Sequence, residues 1–80
     1  MKYVYLLESI NHPGQTYVGL TDDLRHRLEE HNAGEGTHTR KYLPWRLVIY
    51  LAFSDERKAT AFERYMKTAS GRAFANKRLR

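Results

Sequence analysis

The chain has no cysteine among its 80 residues. That excludes a disulfide framework and any thiolate metal site, so redox chemistry says nothing about its compartment. Proline is scarce, at two residues. Apolar runs are short: the longest, such as Leu47 to Phe53, fall far below the ~20 residues a membrane-spanning helix needs. No positively charged, apolar, small-residue leader is visible. The expectation is a soluble cytoplasmic protein with no membrane association. Eighty residues allow one domain with a thin core.

Positive charge is plentiful. Fourteen Lys and Arg against nine Asp and Glu give a net charge of +5, with a sequence pI near 9.7. A polyanionic partner, nucleic acid above all, suits that balance, although many small soluble proteins are basic. Basic residues gather late, at Lys67, Arg72, Lys77, Arg78 and Arg80. They can touch phosphates or simply be solvated.

Local patterns order the chain. In "KYVYLLE" (2–8) both alternating sets, Tyr3/Tyr5/Leu7 and Val4/Leu6, are largely apolar, which predicts a strand covered on both faces. "NHPGQ" (11–15) is turn chemistry, and "TYVGL" (16–20) returns as the second strand of a hairpin. Thr21 reads as an N-cap, with Asp22 and Asp23 in the first turn of a helix running to about Asn32, ended by Gly34 and Gly36. A polar connection with one short helical turn leads to the clearest strand, "WRLVIYLAF" (45–53). Ser54 reads as the cap of a helix reaching about Ala69, with Asp55 and Glu56 in its first turn and Ser70-Gly71 as its stop. "RAFANKRLR" fits either a short last helix or a frayed basic tail. The predicted fold class is α/β: a small mixed three-stranded sheet flanked by helices, in the order β-β-α-(short α)-β-α.

Several polar residues face inward. At about 100° per residue, with Leu24 at zero, Leu28 lies near +40°, His31 near −20° and Arg27 near −60°. Arg27 and His31 therefore sit one turn apart at the edge of an apolar stripe. Arg27 can lay its stem along the core and snorkel, or aim its guanidinium at a ligand. Glu63 lies about 40° from Ala59 on the second helix, beside Met66. A carboxylate there must be paired or hold a metal. Six tyrosines is a high count, and a phenol can pack as an apolar body or offer its hydroxyl.

Together these residues resemble the GIY-YIG nuclease family. The two signature segments read Tyr3-Val4-Tyr5 and Tyr17-Val18-Gly19; Arg27 and His31 follow on the next helix, and "FERYMK" supplies Glu63. The resemblance spans essentially the whole chain. More narrowly, "YVGLTDDLRHRLEEHNAG" looks like small stand-alone bacterial members, often described as related to the catalytic N-terminal domain of the excision-repair incision subunit. Two departures are plain: Tyr3 stands where the signature has glycine, and Leu20 where some members carry lysine. The family's late asparagine has a loose counterpart in Asn76.

The resemblance implies an endonuclease cutting phosphodiester bonds in DNA with one divalent ion, Mg²⁺ or Mn²⁺, held by Glu63. It implies catalytic roles for Tyr5, Tyr17, Arg27 and His31. Mg²⁺ keeps most of its waters, so a single carboxylate can suffice. Arg27 would present its fork to the phosphate, and Tyr5 would position water or phosphate. A phenol is a weak base at neutral pH unless a nearby cation favours the phenolate. Tyr17 as base, His31 as proton acceptor and a metal hydroxide all stay open. Lys41, Asn76, Lys77 and Arg78 are candidate nucleic-acid contacts. With no separate DNA-reading module, substrate choice should follow shape or backbone, with a protein partner or a second copy helping to grip DNA. The rival classes are a nucleic-acid-binding module that does not cut, and a structural or metabolic protein with a coincidental motif.

Overall fold

The computed structural model describes residues 1–80. Its elements are β1 (Lys2–Ser9), β2 (Thr16–Thr21), α1 (Leu24–Asn32), a 3₁₀ turn (Arg40–Tyr42), β3 (Trp45–Phe53), α2 (Glu56–Met66) and α3 (Ala69–Arg78). The doubly apolar β1 is the central strand of the order β2-β1-β3. Val4, Tyr5, Leu6 and Leu7 are all buried, because helices cover both faces of the sheet.

The sheet is antiparallel throughout rather than mixed. The tight connection after Ser9 makes β1 and β2 a hairpin, and β3 returns along the other side of β1. On one face, Tyr5, Leu7 and Trp45 pack with Tyr17, Leu24, Leu28 and Leu47 beneath α1 and the 3₁₀ turn. On the other, Leu6, Met66 and Ala75 pack with Val18, Ile49 and Phe62 beneath α2 and α3. The pairing of β1 with β3 shifts register between Leu6 and Leu7.

Three local expectations shift. Thr21 remains in β2 opposite Tyr3, and α1 is capped by Asp23, whose side chain accepts from the His26 amide at 3.1 Å. Asp22 and Asp23 therefore precede the helix. Asp55, not Ser54, caps α2 in the same way. The second helix also stops at Met66 rather than near Ala69. The Thr68 hydroxyl donates to the Tyr65 carbonyl at 2.6 Å and accepts from the Gly71 amide at 3.1 Å, so one side chain ends α2 and starts α3. Gly71 is not a stop but lies in the first turn of α3. A Cβ there would come within 1.9 Å of the Tyr65 carbonyl oxygen, so only glycine lets the two helices meet. Of the two alternatives for the last residues, the helix forms.

One ion cluster ties distant elements. Glu8 on β1 receives Arg46 from β3 and Arg80 beyond α3. Arg80 and Arg46 hold its carboxyl below the usual carboxylate range.

Candidate active site

The site grows from a cross-strand pair. Tyr5 on β1 stands opposite Gly19 on β2. A Cβ on residue 19 would lie 2.2 Å from the Tyr5 hydroxyl oxygen, so the bare backbone of Gly19 lets the Tyr5 ring lie across β2. There the Tyr5 hydroxyl meets Nε2 of His31, from the last turn of α1, at 2.8 Å. The other ring nitrogen of His31 lies 2.9 Å from Oγ1 of Thr39. The Trp45 indole N–H in turn donates to the Thr39 carbonyl at 2.6 Å. Tyr5, His31 and Thr39 are 1%, 3% and 1% exposed. They form a buried polar line in which every side-chain polar atom has a partner.

Arg27 and Tyr17 stand at the mouth of this line. The Arg27 guanidinium is largely exposed and lies between Glu30, 3.4 Å from Nη1, and the Tyr5 hydroxyl. The Tyr17 ring meets the His31 ring edge-on at 5.0 Å and lies 6.3 Å from that of Tyr5. Burial pushes the Tyr5 phenol up, against the lowering effect of Arg27. Burial, helped by the positive charge of Arg27, pushes the His31 imidazole down, which favours the neutral ring. Contact with the Tyr5 hydroxyl raises the Arg27 guanidinium, which stays charged.

Two clefts flank Tyr17. A cavity of about 410 Å³ is walled by Tyr17, Arg27, Glu30, Glu35 and His38, with His31 and Thr39 at its back. The other, about 420 Å³, lies towards α3 and is walled by Tyr17, Gln15, Lys67, Arg72, Asn76 and Arg80. Because β2 is an edge strand, Tyr17 borders both.

The structure thus gathers Tyr5, Tyr17, Arg27 and His31, while Glu63 reaches the site only through Lys67, which walls the second cleft beside Tyr17. Glu63 lies on α2, across the sheet, and is ion-paired with Lys67 one turn on at 2.6 Å. It borders neither cleft. Asn76 faces the second cleft with its Oδ1 taken by Arg80 at 2.7 Å. Lys77 and Arg78 sit in the last turn of α3 and line neither cleft. Lys41 is on the 3₁₀ turn, its ammonium 5.7 Å from the centre of the Tyr42 ring. Sequence reasoning passed over Thr39, Gly36 and Trp45, which lie in or next to coil and carry no periodic signal. The i, i+4 spacing of Lys67 from Glu63 is the sequence signal for their pair.

No group of three or more His, Asp or Glu side chains is placed to hold a metal ion. A chelating site of the zinc type is therefore absent. Glu63 offers one carboxylate, with one oxygen engaged by Lys67. That donor set fits a hard, water-rich ion such as Mg²⁺, provided Lys67 gives way.

Comparison with known proteins agrees with the geometry. The family model described as "GIY-YIG catalytic domain" matches residues 1–78. A UPF0213 protein of Streptococcus pneumoniae serotype 4 is 38% identical over 66 residues, covering 81% of this chain and 65% of that protein. The chain thus spans slightly under two thirds of that relative's length. A UPF0213 protein of Lacticaseibacillus paracasei is 39% identical over 66 residues, covering 81% of this chain and 72% of its own. The solution NMR structure of a UPF0213 protein from Bacillus halodurans superposes with a TM-score of 0.57 at 36% identity, covering 95% of this chain and 81% of that one.

Proposed function

The chain belongs to the GIY-YIG catalytic-domain family, and from that premise we propose that it is a divalent-metal-dependent endonuclease acting on DNA. Choice of substrate would follow shape and backbone rather than sequence. The observation that carries this reading is the convergence of Tyr17 and Arg27 at the mouth of one cleft, backed by the buried Tyr5–His31 pair.

Arg27 is the phosphate-binding group. Its planar fork can take two phosphate oxygens once it lets go of Glu30, a weak partner at 3.4 Å in a solvent-exposed setting. Tyr17 is the phenol with access to solvent and to both clefts, so it holds or moves the proton of the attacking water. Tyr5 is too buried to touch a phosphate, and it acts by fixing its neighbours. His31 has both ring nitrogens engaged, so it would have to break a bond to accept a proton. Glu63 would hold Mg²⁺ or Mn²⁺, which when bound supplies charge stabilisation to the phosphate and the leaving oxygen. Lys67, released from Glu63, would join Arg72 as a second cation facing the second cleft. These two replace Lys77 and Arg78 as the proposed backbone contacts. Cytoplasmic location and a place in DNA repair belong to the same reading.

The placement of Glu63 favours one rival, a nucleic-acid-binding module with little or no cleavage. A panel of single-stranded, duplex and branched DNA and of RNA, with Mg²⁺, Mn²⁺ or EDTA, separates the two. The nuclease reading expects nicking of at least one DNA only with metal, lost in Arg27→Ala and Glu63→Ala. Binding without cleavage on every substrate would favour the module, and cleavage by both variants at the parent rate would refute the assignment.

A further inference from the structure

The Thr39 hydroxyl has an ionisable partner that packing alone does not require. Gly36 makes room for it, since a Cβ on residue 36 would lie 2.3 Å from Thr39 Oγ1 and 3.2 Å from His31 Nδ1. Trp45 pins the Thr39 backbone through its carbonyl. The hydroxyl is thus held against one imidazole nitrogen while Tyr5 holds the other.

The direction of these bonds follows from the donor at one end. A phenol is a stronger donor and a weaker acceptor than an aliphatic hydroxyl, and the positive charge of Arg27 nearby favours a lone pair on its side of the Tyr5 oxygen. The phenolic proton then goes to His31 Nε2, 2.8 Å away. A neutral imidazole that accepts at Nε2 carries its proton on Nδ1, and Nδ1–H donates to Thr39 Oγ1. Reversing the line would make the weaker donor, the Thr39 hydroxyl, supply the proton to His31 and leave the more acidic phenolic proton unused.

We propose that Thr39 is a positioning residue of this site: its hydroxyl holds His31 in the Nδ1–H tautomer, so that Tyr5 turns a lone pair, not its proton, towards Arg27. Thr39 touches no substrate. Its effect passes through His31 and Tyr5 to the aim of the guanidinium. The kinetic consequence rests on the nuclease reading; the tautomer does not.

The test uses the full chain, with Thr39→Val as a near-isosteric loss of the hydroxyl and Thr39→Ser as its conservative counterpart. Long-range ¹H–¹⁵N spectra report which His31 ring nitrogen is protonated. The parent and Thr39→Ser should show Nδ1–H, and Thr39→Val should move towards Nε2–H. On a DNA that the parent cleaves with Mg²⁺ or Mn²⁺, Thr39→Val should lower kcat by roughly ten- to a hundredfold with little change in KM, and Thr39→Ser should restore most of it. A parent His31 protonated on Nε2 overturns the proposal, as does a folded Thr39→Val that keeps Nδ1–H or cleaves at the parent rate. Should Thr39→Val not fold, the tautomers of the parent and Thr39→Ser decide alone. Should the parent cleave nothing, the nuclease reading fails while the tautomers still decide this one.

Discussion

At the scale of single residues, the buried line makes the hydroxyl of Tyr5 worth more than its ring. Tyr5→Phe keeps the apolar body but leaves His31 Nε2 buried without a partner, which costs about 1–3 kcal/mol. Thermal or denaturant unfolding should show that loss, with metal-dependent cleavage falling alongside it. His31 adds a pH dependence of defined sign. Its imidazole is held below its ordinary value when folded, so the unfolded chain binds the extra proton first. The contribution of His31 is therefore complete above about pH 6.5, the ordinary value for histidine, and is lost as pH falls from there towards the lowered folded value. Unfolding curves from pH 8 to 5 should show His31→Asn less sensitive to this drop than the parent. At this scale much of the site was legible: helical spacing put Arg27 and His31 on one face with Leu24, and the paired tyrosine motifs put Tyr5 and Tyr17 beside them. Thr39 was not, because its contact with His31 runs through the coil after Gly34, where no periodicity points.

At the scale of elements, the breaks between helices matter more than the helices. The sequence predicts α2 reaching about Ala69, followed by either a short helix or a frayed tail, because glycine and serine commonly mark an end. Here the glycine is where two backbones touch, a tertiary fact that no local pattern carries. Gly71→Ala should therefore cost about 1–3 kcal/mol, as overpacking does, measured as a lower denaturant midpoint. The caps moved for a humbler reason: Thr21, Asp22 and Asp23, like Ser54 and Asp55, are all good capping types, and pairing in the sheet claims Thr21 first. By contrast, strand β3 and the central position of β1 were plain from composition and alternation.

At the scale of the molecule, charge and shape decide how a polyanion could lie. The body measures about 31 × 27 × 17 Å, with Arg27 in one cleft and Lys67 and Arg72 in the other. Composition announced the surplus of cations but not their positions, since the late basic run curls into α3 and turns Lys77 and Arg78 away from both clefts. On the reading proposed above, Arg72→Gln should weaken DNA binding and flatten the plot of log K against log salt by about one unit, the worth of one phosphate contact. Lys77→Gln should leave the slope unchanged.

The Glu8 cluster has a consequence in time. Its bond to Arg80 joins positions 72 apart in the chain, so it closes a loop containing nearly every element of the fold. Contacts of such long range form after the local ones, because the intervening chain must first be ordered. The pairing of Glu8 with Arg80 is therefore expected to form late, beyond the folding barrier. Interactions of that kind govern how fast a protein comes apart and leave the speed of assembly alone. Stopped-flow measurements on Glu8→Gln should find unfolding faster and refolding unchanged, the mark of a contact that lengthens the lifetime of the folded molecule without hastening its assembly.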